Sequence, residues 1–276
     1  MTAQQILETP DLIEAGIAGD EVRRRMHGTK TTFVRVFEIH VDAPPQALPP
    51  RTDAGEFRIV GRPATLDAAV TAVRAAVALA NGRPVTGFTA DALQSLGPLE
   101  QTARALREAG LAAVAQLPID LVNDARAVSL ALRTAGLQIN AVTVDVLPDD
   151  PQARIDICDR AKQLQQAVGG FKAFAPLPRT LSVTKPTTGY DDVKQIALAR
   201  VVVDNVSSIQ VDWQLYGPKM AQVALTVGAD DVDNVSAVDP GILGTRRSPL
   251  EEIKGNIKAA ALEAVERNGL FEERIP

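Results

Sequence analysis

The sequence predicts an α/β fold, a single (β/α)8 barrel of the TIM type with a degenerate first crossover and additional helices at both ends. Three observations predict it. Short apolar runs of strand length alternate with amphipathic runs of helical period, which implies parallel strands joined by helical crossovers. Eight such units fit into 276 residues with no linker or low-complexity break between them. No strand–turn–helix phosphate loop of the G-x-G-x-x-G or P-loop kind is present, which weakens the runner-up, an open doubly wound sheet.

Residues 5–28 read as helices. Asp11 and Asp20 are both capping residue types, and Gly28 follows the basic turn "RRRMH" as a stop. "TTFVRVFEIHV" is the first strand and "EFRIVG" the second. Thr65 caps "LDAAVTAVRAAVALA", which ends at Asn81-Gly82, and "PVTGFT" is the third strand. Pro98 suits a first helical position before "LEQTARALREA", and "LAAVAQL" is the fourth strand. Asn123 or Asp124 starts "ARAVSLALRTA", followed by the fifth strand "QINAVTVDVL". A helix from Pro151 to Val168 closes at Gly169-Gly170 before the sixth strand, "FKAFAPL". "YDDVKQIALARVVVDN" is helical, "SIQVDW" the seventh strand, "GPKMAQVALTVG" helical and "DDVDNVS" the eighth strand. A last helix is expected over about 249–268. The whole is one domain: N-terminal helices 1–30, barrel 31–236, C-terminal helix and tail 237–276.

One crossover breaks the pattern. Between the first two strands, residues 42–56 contain Pro44, Pro45, Pro49 and Pro50. Parallel neighbours need a dozen or so residues to cross over, usually as a helix. Proline removes the backbone donor and clashes with the preceding turn, so no regular helix is expected here.

Composition narrows the function. The net charge of −5 argues against a nucleic-acid partner, whose phosphates need a basic face. The locally basic "EVRRRMHGTK" reads as a solvated helix end. No apolar run reaches the roughly 18 residues of a bilayer span, and no secretory signal is read at the N-terminus, so a cytoplasmic protein without membrane contact is expected. The single cysteine, Cys158, allows no intrachain disulfide, and two histidines do not make a His-rich metal site.

Three stretches carry a family likeness: "VTGFTADAL", "QARIDICDRAKQLQQAVGGFKAFAPLP", and the long block from "GYDDVKQIALARVVVDN" to "VGADDVDNVS". Together they resemble the radical S-adenosylmethionine (radical SAM) enzymes of the futalosine route to menaquinone, aminofutalosine synthase above all. Dehypoxanthine futalosine cyclase and the deazaflavin synthase subunit are relatives. The family pattern "GGFQAFIPL" matches Gly169–Leu177, and Trp213, Gly217, Lys219, Gln222, Gly228, Asp230, Asp231 and Asp233 stand in register with a second family block. The resemblance implies a (β/α)8 barrel. It also implies a C-x-x-x-C-x-x-C segment after the first strand, holding a [4Fe–4S] cluster that cleaves S-adenosylmethionine. Here "VDAPPQALPPRTDAG" stands in that place, Arg62 replaces a glycine after the second strand, and "AQLPIDLVND" replaces a glycine-rich turn after the fourth. The expectation is therefore a radical SAM-like barrel without a cluster, with no cofactor and with no radical chemistry.

Function in a barrel sits at the C-terminal ends of its strands. Alternation puts Glu38, His40 and Asp42 on one face of the first strand, pointing into the barrel, where a carboxylate beside an imidazole suits acid–base work. A polar cluster merely refilling a vacated cofactor space is the simpler reading of the same residues. Arg62 suits a carboxylate or phosphate, or else an ion pair with Glu38 or Asp42 that plugs the mouth. Asp145 ends the fifth strand with Asn140 and Thr143 before it. Asp212 and Trp213 end the seventh, Trp213 being suited to stacking on a flat ring or to packing. Asp230, Asp231 and Asp233 read as loop and helix-terminus acids rather than a cation site, and Cys158 as a helix-packing residue. The expected function is that of an accessory barrel binding a small molecule, a cluster-bearing paralogue or a second copy of itself. The alternative is a repurposed enzyme doing lyase or proton-transfer chemistry with Glu38, His40 and Arg62.

Overall fold

A computed structural model describes residues 1–180, 186–241 and 248–274. Two helices, α1 (Ala3–Glu8) and α2 (Leu12–His27), precede the first strand. Asp11 caps α2 by accepting from the backbone N–H of Ile13 and Glu14, and the helix runs through Asp20 without a second start. Gly16 and Gly19 let α2 approach closely. A Cβ on Gly19 would lie 2.1 Å from the carbonyl oxygen of Val227.

Eight parallel strands then close on themselves: β1 (Lys30–His40), β2 (Glu56–Val60), β3 (Val85–Thr89), β4 (Ala113–Pro118), β5 (Gln138–Val144), β6 (Ala173–Pro178), β7 (Ser208–Asp212) and β8 (Asp231–Ser236). Neighbours pair in sequence order, and β1 pairs with both β8 and β2, which makes the sheet a barrel. The crossover helices are α3 (Leu66–Ala80), α4 (Ala90–Gln94) with α5 (Leu99–Glu108), α6 (Ala125–Thr134), α7 (Pro151–Ala167), α8 (Gly189–Val202) and α9 (Trp213–Leu225). Outward-facing strand residues such as Phe33, Ile39, Phe57, Phe174 and Val232 pack with the buried faces of these helices in one core.

The first crossover carries no helix, as the prolines require. Its chain runs down the outside of the barrel instead. Thr52 bridges Val238, and Gly55 N–H donates to the carbonyl of Arg35 before β2 begins.

The C-terminus departs from the sequence reading. The last helix, α10 (Pro249–Ala259), stops short, and a ninth strand, β9 (Glu263–Glu266), pairs parallel with Lys30–Phe33 of β1. β1 has eleven residues, whereas β2 has five and joins only its upper half, so the lower half offers a free edge that β9 takes. The chain then turns back, and the carbonyl of Gly269 accepts from Asn140 Nδ2 while Gly269 N–H donates to Gly55. This hairpin forms the floor of the barrel. Helical propensity in "EAVERNG" loses here to the pairing that an open strand edge supplies.

Candidate functional site

The lower half of the lumen is a charge-paired layer. Asp231 and Asp233 alternate with Val232 on β8, which points both carboxylates inward. Arg267, brought in by the hairpin, makes a two-pronged contact with Asp231, Nε to Oδ1 at 2.6 Å and Nη2 to Oδ2 at 2.7 Å. Arg58 grips two acids, Glu56 at 2.7 and 2.9 Å and Asp233 at 2.8 and 2.7 Å. The Thr86 hydroxyl also donates to Glu56. Burial opposes charge on Arg58, yet Asp233 and then Glu56 outweigh it and raise its pKa. Burial likewise raises the Asp233 carboxyl, but Arg58 reverses this and holds it well below the usual carboxylate range. The free space left among these side chains is about 10 Å³, too little for a ligand.

The upper half is built differently. Arg179, directly after β6, donates from Nη1 to Asp212 Oδ2 at 2.5 Å, and its Nη2 reaches Gln210 at only 3.5 Å. Its Nε is buried with no hydrogen-bond partner among the described residues, and so is the hydroxyl of Thr143 on β5. Thr143 pairs in register with Ala175, and alternation from Ala141, which lines the lumen, turns its side chain inward. Asp212 also caps α9 by accepting from Leu215 N–H at 2.9 Å, which fixes the carboxylate that Arg179 meets. Tyr216 donates its hydroxyl to the carbonyl of Pro178 at 2.6 Å, and burial, then Asp192, pushes its pKa upward.

The residues singled out from the sequence divide among these surroundings. Glu38 is half-buried and accepts from Asn234 Nδ2 at 3.1 Å, while His40, two residues on, is exposed. Arg62 pairs with neither Glu38 nor Asp42. It is exposed and meets Asp91 of α4, because the turn after β2 points it outward toward that helix. Asp145 accepts from the Thr180 hydroxyl at 2.8 Å, tying β5 to the segment after β6. Trp213 starts α9 and is 8% exposed, packed within the apolar core. The reading of Asp231 and Asp233 as loop acids is corrected: both are buried strand residues, stabilised by Arg267 and Arg58. Asp230, just before β8, meets Arg200. Cys158 is a buried free thiol in α7, as its helix position implies.

Sequence reasoning missed Arg58, Arg179 and Arg267. Arg58 had a signal, since Glu56 and Arg58 stand two apart on one strand and share a face. Arg267 had none, because it lay inside an expected helix.

Comparison with known proteins agrees with this architecture. Residues 171–274 match the family described as the CofH/MqnC C-terminal region. The chain is 32% identical over 206 residues to aminodeoxyfutalosine synthase of Thermus thermophilus, a match covering 64% of this chain and 55% of that one. It is 33% identical over 122 residues to 5-amino-6-(D-ribitylamino)uracil–L-tyrosine 4-hydroxyphenyl transferase of Methanothermobacter thermautotrophicus, covering 38% of this chain and 33% of that one. The chain thus spans about half the length of the first relative and a third of the second. The crystal structure of methylornithine synthase (PylB) superposes with a TM-score of 0.65 at 11% identity, covering 95% of this chain and 92% of that one, a likeness of fold.

The expectation that no cofactor belongs with this chain is corrected by these matches. The sequence relatives it matches, aminodeoxyfutalosine synthase among them, are radical SAM enzymes, a family that carries a [4Fe–4S] cluster and S-adenosylmethionine. This chain's own donors do not fit such a cluster. A cubane cluster takes several thiolates. The sequence has one thiol, Cys158, fully buried in α7, where burial and then Asp159 push its pKa up and disfavour the thiolate. Among the described residues no group of three or more His, Cys, Asp or Glu side chains is arranged to hold a metal ion.

Proposed function

We propose, from the premise that this chain is a relative of the radical SAM enzymes of the futalosine route, that its barrel serves as an accessory that holds a small polar molecule in the upper lumen. The ligand class is a nucleoside- or chorismate-derived metabolite related to futalosine, and the partner a cluster-bearing paralogue or a second copy, in the cytoplasm. One observation carries the reading. Among the described residues Arg179 Nε and Thr143 Oγ1 are buried donors without an acceptor, although burying an unsatisfied polar group costs about 1–3 kcal/mol. A ligand oxygen between β5 and β6 relieves that cost. Asp212, which meets Arg179, and Asp145, two residues beyond Thr143, are the carboxylates that would accept from ligand hydroxyl or amine groups.

A specific arrangement favours a second reading, proton-transfer or lyase chemistry. Glu38 meets an amide rather than a cation, and His40 stands exposed on the same strand face. Arg62 would then anchor an anionic substrate group at the rim once released from Asp91.

The test is calorimetric titration of the protein with such nucleosides and chorismate-derived acids, repeated on Arg179→Met. Binding in the native protein and its loss by about tenfold or more in the variant is expected. No binding by any compound, with no co-elution with a cluster-bearing relative, sinks the accessory reading. Release of 5′-deoxyadenosine after anaerobic treatment with iron, sulfide and S-adenosylmethionine also sinks it. Turnover abolished by His40→Ala would favour the second reading.

A further inference from the structure

We propose that the floor of the barrel, at the end opposite the mouth, carries a second binding site that takes a compact oxyanion, a phosphoryl or carboxylate group. A cavity of about 300 Å³ opens there between the starts of β1, β6, β7 and β8 and the C-terminal hairpin. Its acceptors are already engaged. Asp230 receives Arg200 and the N–H of Ile209. Asp231 receives Arg267, Thr32 and Gln210. The carbonyl of Ser207 receives His27 Nε2 and Arg200 Nη1.

Two of its donors are not engaged, while Thr32, Arg267 and His27 serve the acceptors just named. The exposed ammonium of Lys172 has no ion pair and the hydroxyl of Ser208 no acceptor among the described residues. Lys30 has one partner, Glu273, which is itself 57% exposed, so water and salt weaken that pair. A cavity whose carboxylates already receive donors, and which keeps the Lys172 ammonium and the Ser208 hydroxyl free beside a weakly paired Lys30, is complementary to an anion with several acceptor oxygens.

The cavity also has an apolar wall. Phe271 sits in the turn of the hairpin with φ of 64°, a backbone region unfavourable for a bulky residue, and its ring lies 3.7 Å from the Arg267 guanidinium. The same ring faces the lumen void, so it separates the floor cavity from the charge-paired layer. A bound anion therefore meets donors at the rim and an aromatic partition behind, and leaves the Arg267–Asp231 pair intact.

The experiment is titration of the full chain with inorganic phosphate at constant ionic strength, followed by 31P line width and calorimetry, with acetate as the parallel arm. Saturable phosphate binding is expected, weakened about tenfold or more in Lys172→Glu and less in Ser208→Ala. Thermal melting of Lys172→Glu without ligand should match the native protein, since the side chain is exposed. Preference for phosphate assigns a phosphoryl ligand, and preference for acetate a carboxylate. Absence of saturable binding in both arms overturns the site, as does binding that Lys172→Glu leaves unchanged. Arg179→Met, which tests the mouth, should leave phosphate binding intact.

Discussion

The two halves of the lumen use the same kinds of side chain to different ends. In the lower half every guanidinium meets a carboxylate in good geometry, Arg58 meeting two and Arg267 meeting Asp231 with both prongs. In the upper half Arg179 meets Asp212 with one nitrogen and Gln210 at the limit of hydrogen bonding with another, and among the described residues its Nε and the Thr143 hydroxyl are buried and unanswered. A polar network completed within the chain fixes a fold, whereas one left incomplete in a buried setting points to a group that arrives from outside. The contrast separates scaffold from candidate site better than residue type does, since both halves pair Arg with Asp.

The sharpest way to break the comparison is to remove the lower network's centre. Arg58→Leu strands Glu56 and Asp233 in a layer with almost no free space. Breaking a buried pair by deleting one partner costs about 3–5 kcal/mol. Urea unfolding should show at least that loss, and a loss under about 1 kcal/mol would mean that the lower layer is no more structural than the upper.

Much of this was legible in the sequence, and the boundary is physical. Alternating periods gave the barrel, and the prolines of residues 42–56 gave the helix-free crossover, because both depend on local backbone chemistry. The hairpin floor was not legible. β9 exists because β2 leaves the lower half of β1 unpaired, a long-range circumstance that "EAVERNG" does not encode. Arg267 was lost with it. At the mouth, alternation put Glu38 and His40 on one inward face, yet only Glu38 is half-buried and His40 is exposed, and the partner of Arg62 depended on α4, a short helix in "ADALQ" that periodicity over five residues cannot show.

A smaller effect sharpens the comparison through pH. Arg58 holds the Asp233 carboxyl below its value in the unfolded chain, which is about 3.9. A group with a depressed folded pKa contributes stability that is present above about pH 4 and lost as pH falls toward the folded value. The stability gap between the native protein and Asp233→Asn should therefore be full near about pH 6 and narrow steadily below about pH 4. Urea titrations across that range check it, and a gap that stays constant would mean that Asp233 carries no charge in the folded protein.

The smallest expected change in stability comes from the upper half. Thr143→Val replaces a buried hydroxyl that has no partner among the described residues with a methyl group of similar shape. Removing an unsatisfied polar atom forfeits no hydrogen bond and relieves its desolvation, so the folded chain should change by less than about 1 kcal/mol and in the stabilising direction. Ligand affinity should move the other way, falling about fivefold or more, because the lost hydroxyl is the one reserved for the incoming oxygen. A variant that is less stable by about 2 kcal/mol would show that the Thr143 hydroxyl already has a partner within the fold. The upper lumen would then be as self-contained as the lower, and the case for a ligand there would rest on Arg179 alone.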